Sequence, residues 1–399
     1  MELALFCLLI PFAALGHFAA TLWLFNRLHG EAWPYRLRQT LERLLFLAAI
    51  SIPLVVAWQS PNFYYRPILD IDTWSNLSTL TMLSAVYFWC CIVACLQIIP
   101  IWLIPKLRYT TPAELIATET RELNLREQLP SIPVQGLFPR FCASLPGNQI
   151  FHLQVQTKHL KLRNLPPALK GLRIAHLTDI HLTGKVGWEF YAEVIRLTNE
   201  LQPDLILLTG DIAERTRCLP WIQPLFGSLQ APLGKFFILG NHDFLLPEAT
   251  LLREELRRCG FVDIAGRSQQ LSIRDVPVLI AGNELPWHGP APSVPLKSAK
   301  SPEPSYPEPE FRLLLAHTPD LFAWAQQQEF DLMLAGHNHG GQIRLPWIGP
   351  LISPSRFGTR YAAGLFREGP TLMHVGRGIS GEHLLRFNCP PELTLLILD

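Results

Sequence analysis

The chain has 399 residues, room for two or three domains. Its 34 basic and 33 acidic side chains leave a formal net charge of +1. That balance excludes the strong basic field on which nucleic-acid binding relies, so no nucleic-acid partner is expected.

The first predicted elements are apolar. Residues 3–25 and 80–104 contain no Asp, Glu, Lys or Arg, and each is long enough for a membrane-spanning helix of about 20 residues. Residues 44–58 form a shorter run containing Pro53, which reads as a tilted span or a re-entrant segment. The first segment lacks the basic stretch that opens a signal peptide and is too long for a signal-peptide core, so a retained anchor is expected. Arg27, Arg36, Arg38 and Arg43 follow the first segment, and Lys106, Arg108, Arg121 and Arg126 follow the third. The loop between the second and third holds Arg66 beside Asp70 and Asp72. With three spans both basic flanks fall on one side, which the positive-inside rule makes cytoplasmic. A multi-pass membrane protein is expected, with its N-terminus outside and everything after residue 105 in the cytoplasm.

Eight cysteines form no CxxC pair. Three lie in the third apolar segment and act as small apolar residues, and the scatter of the rest suits a reducing compartment. Residues 106–149 read as a linker. Within it "TPAELIATETRELNLREQL" opens on Thr111, Pro112 and Glu114, a helix-start pattern that predicts a short amphipathic helix near the membrane surface. The Pro-rich stretch 288–310 has no apolar periodicity and predicts a surface loop.

From residue 150 to 399, apolar β-type runs at 172–178, 204–209, 235–239, 277–281, 312–316, 332–335, 371–376 and 393–398 alternate with helical patterns such as 188–201 and 247–258. This alternation predicts a layered α/β domain, with the ligand site at the carboxyl ends of the strands. Those ends carry the chemistry. Asp179 and His181 follow the first run, Gly210 and Asp211 the second, and Gly240, Asn241, His242 and Asp243 the third. His317 follows the run at 312–316, and Gly336, His337, Asn338 and His339 follow that at 332–335.

Seven of these side chains, Asp179, His181, Asp211, Asn241, His317, His337 and His339, offer mixed nitrogen and oxygen donors. Such a set suits manganese, with iron, zinc or cobalt as alternatives, better than calcium or magnesium. Seven donors exceed the need of one ion but serve two divalent ions if a carboxylate bridges. A pair of ions about 3.5–4 Å apart can clamp both oxygens of a phosphoryl displacement. Glycines before Asp211, Asn241 and His337 permit tight turns and close backbone approach.

The five blocks "DIH", "GD", "GNHD", "AH" and "GHNH", in this order, resemble the calcineurin-like metallophosphoesterases. The resemblance covers about 170–399. Together with "PDLILLTGD", "AHTPD", "GHNHGGQIRLP" and "PPELTLLIL" it points to the membrane-associated, YaeI-like phosphodiesterase branch. It implies a two-sheet β-sandwich flanked by helices, here preceded by a helical transmembrane region at 1–105 and the linker at 106–149. It also implies roles. Asp179, His181 and His339 would hold one metal, Asn241, His317 and His337 the other, and Asp211 would bridge. His242 would be the catalytic histidine, protonating the leaving oxygen, and Asp243 would orient its ring. Asn338 stands where threonine is common, and Asn283 where this branch often has aspartate.

Other residues carry plainer expectations. His176 should satisfy a core hydrogen bond, and His152, His159, His288, His374 and His383 belong to no motif. Arg377 and Arg386 are candidates for phosphate contact, and His17 sits within the first apolar segment. The expected substrate is a phosphate ester, with a phosphodiester or pyrophosphate of a lipid-linked molecule foremost. UDP-2,3-diacylglucosamine is one alternative substrate. A silent membrane-tethered metal-binding scaffold is the reading from another class, opposed by the presence of His242.

Overall fold

The computed structural model describes residues 2–63, 77–129, 133–247, 249–295, 310–381 and 383–399. The chain divides into two compact units, Met1–Tyr109 with Pro354–Arg360, and Thr110–Ser353 with Tyr361–Asp399.

The first unit is built from α1 (Glu2–His29), α2 (Tyr35–Gln59) and α3 (Thr79–Leu107). Among the described residues, these three helices are long and apolar enough to cross a membrane. Large apolar side chains such as Leu8, Phe12, Phe46, Leu54 and Leu96 are exposed, as expected where lipid rather than water is the solvent. The helices cross closely: a Cβ on Gly16 would lie 1.7 Å from the Cys91 carbonyl oxygen, so only glycine fits there. His17 bonds the Tyr87 hydroxyl at 2.7 Å and the Ala49 carbonyl at 3.0 Å, which ties the three helices together. The middle segment is longer than residues 44–58 suggest. The helix continues back through Arg43, Glu42 and Arg38 to Tyr35, because charged residues end an apolar run without ending a helix. Arg66, Asp70 and Asp72 lie outside the described residues.

In the second unit, two sheets face each other. One runs in the order β1 (Leu115–Asn124), β2 (His152–Leu160), β15 (Glu392–Leu398), β3 (Leu172–Leu177), β4 (Leu205–Thr209), β5 (Gly234–Ile238) and β6 (Val262–Asp263). The other runs β13 (Gly364–Glu368), β14 (Thr371–Val375), β10 (Leu332–Ala335), β9 (Phe311–Ala316), β8 (Val276–Asn283) and β7 (Ser268–Ile273). A small hairpin pairs β11 (Arg344–Leu345) with β12 (Gly349–Pro350). Strand alternation divides the core. Ile174, Leu205, Leu207 and Ile238 meet Ile280, Leu313, Leu315 and Leu334 between the sheets. Ala175, Leu177, Ile206 and Leu208 turn outward onto Phe190, Val194, Leu252 and Leu256. These helical residues belong to α5 (Trp188–Glu200) and α6 (Ala249–Arg258). Phe322 and Ala325 of α7 (Phe322–Gln327) cover the far face of the second sheet. This is the helix-flanked two-sheet sandwich that the blocks imply.

Residues 110–149 differ from the expected linker helix. Residues 115–124 are a strand, paired antiparallel with β2 from Leu115–Leu160 to Asn124–His152. Only a turn at Leu125–Gln128 and α4 (Leu137–Ser144) are helical. The ladder with β2, irregular only between Leu115 and Ala117, satisfies the backbone better than an isolated polar helix could, and Thr118 and Thr120 favour extended geometry. Glu114 serves no helix start; its carboxylate pairs with Arg163 and Arg367 at 3.3 and 3.6 Å. Of the Pro-rich stretch 288–310, residues 296–309 lie outside the described residues.

Candidate metal centre

The loops after β3, β4, β5, β9 and β10 converge at the carboxyl ends of their strands. Five of the seven expected donor residues have left-handed backbones: Asp179 (φ 52°), His181 (49°), Asp211 (54°), His337 (69°) and His339 (48°). Such conformations are costly for non-glycine residues and gather at functional sites. Close packing explains two glycines. A Cβ on Gly240 would lie 2.2 Å from Asp211 Oδ1, and one on Gly336 would lie 1.9 Å from Thr178 Oγ1 and 2.4 Å from Asp179 Oδ2.

The donors form two groups that share one carboxylate. Asp179, His181, Asp211 and His339 make the first, and Asp211, His317 and His337 the second, each with its donor atoms within 4.8 Å of one another. Asp211 Oδ2 lies 3.5 Å from His181 Nε2 and 3.3 Å from His317 Nε2. It is buried without a hydrogen bond of its own. Asn241 Oδ1 lies 3.1 Å from His317 Nε2.

Imidazole orientation decides what this pocket accepts. His317 Nδ1 donates to the Thr209 carbonyl at 2.7 Å, His339 Nδ1 to the Ser380 carbonyl at 3.2 Å, and His181 Nδ1 meets the Glu214 carboxylate. With Nδ1 carrying hydrogen, each ring when neutral presents an Nε2 lone pair inward. His181 Nε2 and His339 Nε2 then face each other at 3.0 Å, with Asp179 Oδ1 3.4 Å from His339. Two lone pairs and two carboxylates at this spacing repel one another unless cations sit among them, so the donors fit divalent metal ions.

The charges point the same way. Burial pushes the Asp179 carboxyl up, against the pull of His317. Burial acts likewise on Asp211, but His317, His242 and His181 outweigh it and hold that carboxylate well below its usual range. Burial alone would lower His317, yet Asp211 and Asp179 raise it to about 9. Burial, with His181 and Arg386 adding to it, keeps His339 neutral.

A profile of the calcineurin-like phosphoesterase family matches residues 172–341. The chain is 33% identical over 259 residues to the uncharacterized metallophosphoesterase YkuE of Bacillus subtilis (strain 168), covering 62% of this chain and 86% of that one. It is 32% identical over 234 residues to phosphodiesterase YaeI of Escherichia coli (strain K12), covering 57% and 82%. Over 291 residues it is 27% identical to the UDP-2,3-diacylglucosamine pyrophosphatase LpxG of Chlamydia trachomatis serovar D, covering 58% and 86%. The chain belongs to the calcineurin-like metallophosphoesterases. It is a metal-dependent phosphoester hydrolase of the YaeI-like branch.

Within this metallophosphoesterase site, one residue went unmarked in the sequence. Glu214, in "GDIAER", contacts the Nδ1 of His181 and lies 3.2 Å from the Nδ1 of His242. Burial would raise its carboxyl, but hydrogen bonds to the two imidazoles reverse that and keep it ionised. An acid three residues beyond Asp211 in one loop was the available signal. Asp243 does not orient the His242 ring. Its Oδ1 accepts from Ile212 N and Ala213 N at 2.7 and 2.8 Å, and its Oδ2 from Gly240 N at 2.8 Å. Loop donors arriving from two strand ends have taken both oxygens.

The arginines do not reach for phosphate. Arg386 is fully buried and donates to the carbonyls of His339, Arg377 and Ser380. Arg377 pairs with Glu392 at 2.6 Å. His176 is a core residue as expected, bonded to Thr209 Oγ1 at 2.8 Å and His374 Nδ1 at 2.9 Å. Asn338 and Asn283 are buried and serve the backbone, at the Tyr361 carbonyl and Leu285 N. Trp287, another residue not singled out, has its ring 4.8 Å from that of His337 and 5.5 Å from that of His317.

Proposed function

We propose that this metallophosphoesterase is a membrane-anchored dinuclear enzyme that cleaves phosphodiester or pyrophosphate bonds of lipid-linked molecules on the cytoplasmic side. The observation that carries the dinuclear reading is the shared carboxylate, Asp211, standing between two donor groups. In this reading Asp179, His181 and His339 hold one ion, Asn241, His317 and His337 hold the other, and manganese is the expected metal. Two such ions supply the positive charge that gathers phosphoryl oxygens and the acidity that activates a bound water.

The chain's own residues do the rest. Asp243 holds the loops of Asp211 and Asn241 in register through three backbone N–H groups. Glu214 orients His181 and His242 together. Its carboxylate, 3.2 Å from His242 Nδ1, would favour the doubly protonated ring, whose Nε2 can then give its proton to the departing oxygen. The lipid-linked substrate class is supported by the three apolar helices and by the likeness to LpxG, whose name specifies a diacylated sugar nucleotide.

Asp211→Asn tests the centre. It should lose metal from at least one position by elemental analysis, together with hydrolysis of bis-p-nitrophenyl phosphate. Retention of both metals and full rate would overturn the assignment. Comparing kcat/KM for that diester, p-nitrophenyl phosphate and UDP-2,3-diacylglucosamine tests the substrate class. Preference for the monoester would refute it.

A further inference from the structure

We infer that the hairpin Arg344–Pro350, with the apolar residues around it, is a docking surface for an anionic lipid bilayer. The inference shares the membrane location with the function proposed above and is independent of its substrate.

The hairpin begins five residues beyond His339. Trp347 stands wholly exposed at its tip with φ 59°, and Ile343, Leu345, Ile348 and Ile352 are exposed around it. Single exposed apolar residues are ordinary, but five within ten residues mark an interaction surface. The base of the hairpin is firmly held. Arg344 N donates to the Phe387 carbonyl at 2.9 Å, Phe387 N to the Gln342 carbonyl at 3.0 Å, and Asn388 Nδ2 to the Arg344 carbonyl at 2.9 Å. The neighbouring stretch also anchors α4. Asn148 Nδ2 bridges the carbonyls of Cys142 and Leu384 at 2.6 and 2.8 Å, and α4 exposes Leu137, Phe138 and Phe141.

Two observations select a bilayer as the occupant. The first is charge: residues 342–361 contain Arg344, Arg356 and Arg360 and no acidic residue. A tryptophan among aliphatic side chains, in a stretch of chain whose charged residues are arginines, has the composition of a membrane interface and complements anionic headgroups, although Arg356 is itself paired with Glu31. The second is continuity. Residues 354–360, directly after this segment, belong to the unit of apolar helices. There Thr359 Oγ1 accepts from Trp102 Nε1 at 3.0 Å, near the end of α3 where Lys106 lies over the Trp102 ring, and Arg356 pairs with Glu31 at 2.7 Å. Along the chain, the hairpin ends four residues before that segment begins.

The test places a photoreactive probe at the tip. The full chain carrying Trp347→p-benzoylphenylalanine is reconstituted into vesicles of phosphatidylethanolamine and phosphatidylglycerol and irradiated. Phospholipid adducts at position 347 are expected at about tenfold the yield of the same probe at exposed Arg258. Replacing phosphatidylglycerol with phosphatidylcholine should lower that yield. Adducts to protein alone, or a lipid yield equal to that at position 258, would overturn the inference. Hydrolysis of bis-p-nitrophenyl phosphate in the same vesicles reports on the metal centre separately. Lipid adducts without hydrolysis would refute the proposed activity while supporting the docking surface.

Discussion

Asp243→Asn distinguishes two accounts of one residue. The carboxylate is fully buried and accepts three backbone N–H bonds at 2.7, 2.8 and 2.8 Å. An asparagine keeps one oxygen, which can still serve Ile212 and Ala213. Its amide nitrogen then faces the N–H of Gly240, donor against donor. One backbone hydrogen bond is lost and a buried donor is left unsatisfied, together about 1.5–4 kcal/mol. Gly240 precedes Asn241, so the loop carrying that proposed metal donor should loosen. A domain of this size loses about 2–4 °C of Tm per kcal/mol, so a drop of roughly 5–10 °C is expected. Metal content and kcat should fall together, with the pH profile of kcat unmoved. The assay is thermal unfolding of the metal-loaded chain in detergent beside elemental analysis. An unchanged Tm with full metal and a displaced pH profile would refute this account and restore the view that Asp243 acts on the His242 ring.

His242→Ala should keep both metals and the wild-type KM while lowering kcat by ~10²–10⁴, more for an alkyl diester than for p-nitrophenyl esters; loss of metal would instead make His242 a ligand. His374 lies among Lys158, Glu392, Arg377 and His176, and burial with the Lys158 charge lowers its pKa from 6.5 to about 4. It stays neutral in the fold, so the unfolded chain binds more protons between those values. Stability should be full above pH 6.5 and fall as pH drops toward 4, by about 3 kcal/mol. Unfolding midpoints at pH 7.5 and 5 check this, and His374→Asn should flatten the slope. A reporter fused after Asp399 should read cytoplasm, and one inserted at 62–72 should read outside; the reverse pattern would overturn the three-span arrangement.

Much of this enzyme was legible in the order of its residues. Metal chemistry demands particular donor atoms, and parallel strands in two facing sheets deliver them from their carboxyl ends. The blocks around Asp179, Asp211, Asn241, His317 and His339 therefore appear as short local motifs after apolar runs. The apolar helices were legible for a similar reason, since a bilayer imposes length and composition on a single segment. What only the tertiary structure decided concerns groups whose partners are distant in the chain. The strand at 115–124 exists because β2 offers it a ladder, against its own helix-start pattern. Asp243 turned from the His242 ring to the backbone because the Asp211 loop brings it two N–H donors, which join a third from its own loop. Glu214 became the shared partner of His181 and His242, and Arg386 was drawn into the core to bind three carbonyls. A side chain's type is written locally, but hydrogen-bond partners and burial are settled by contacts between remote segments, and those settle only when the two sheets close.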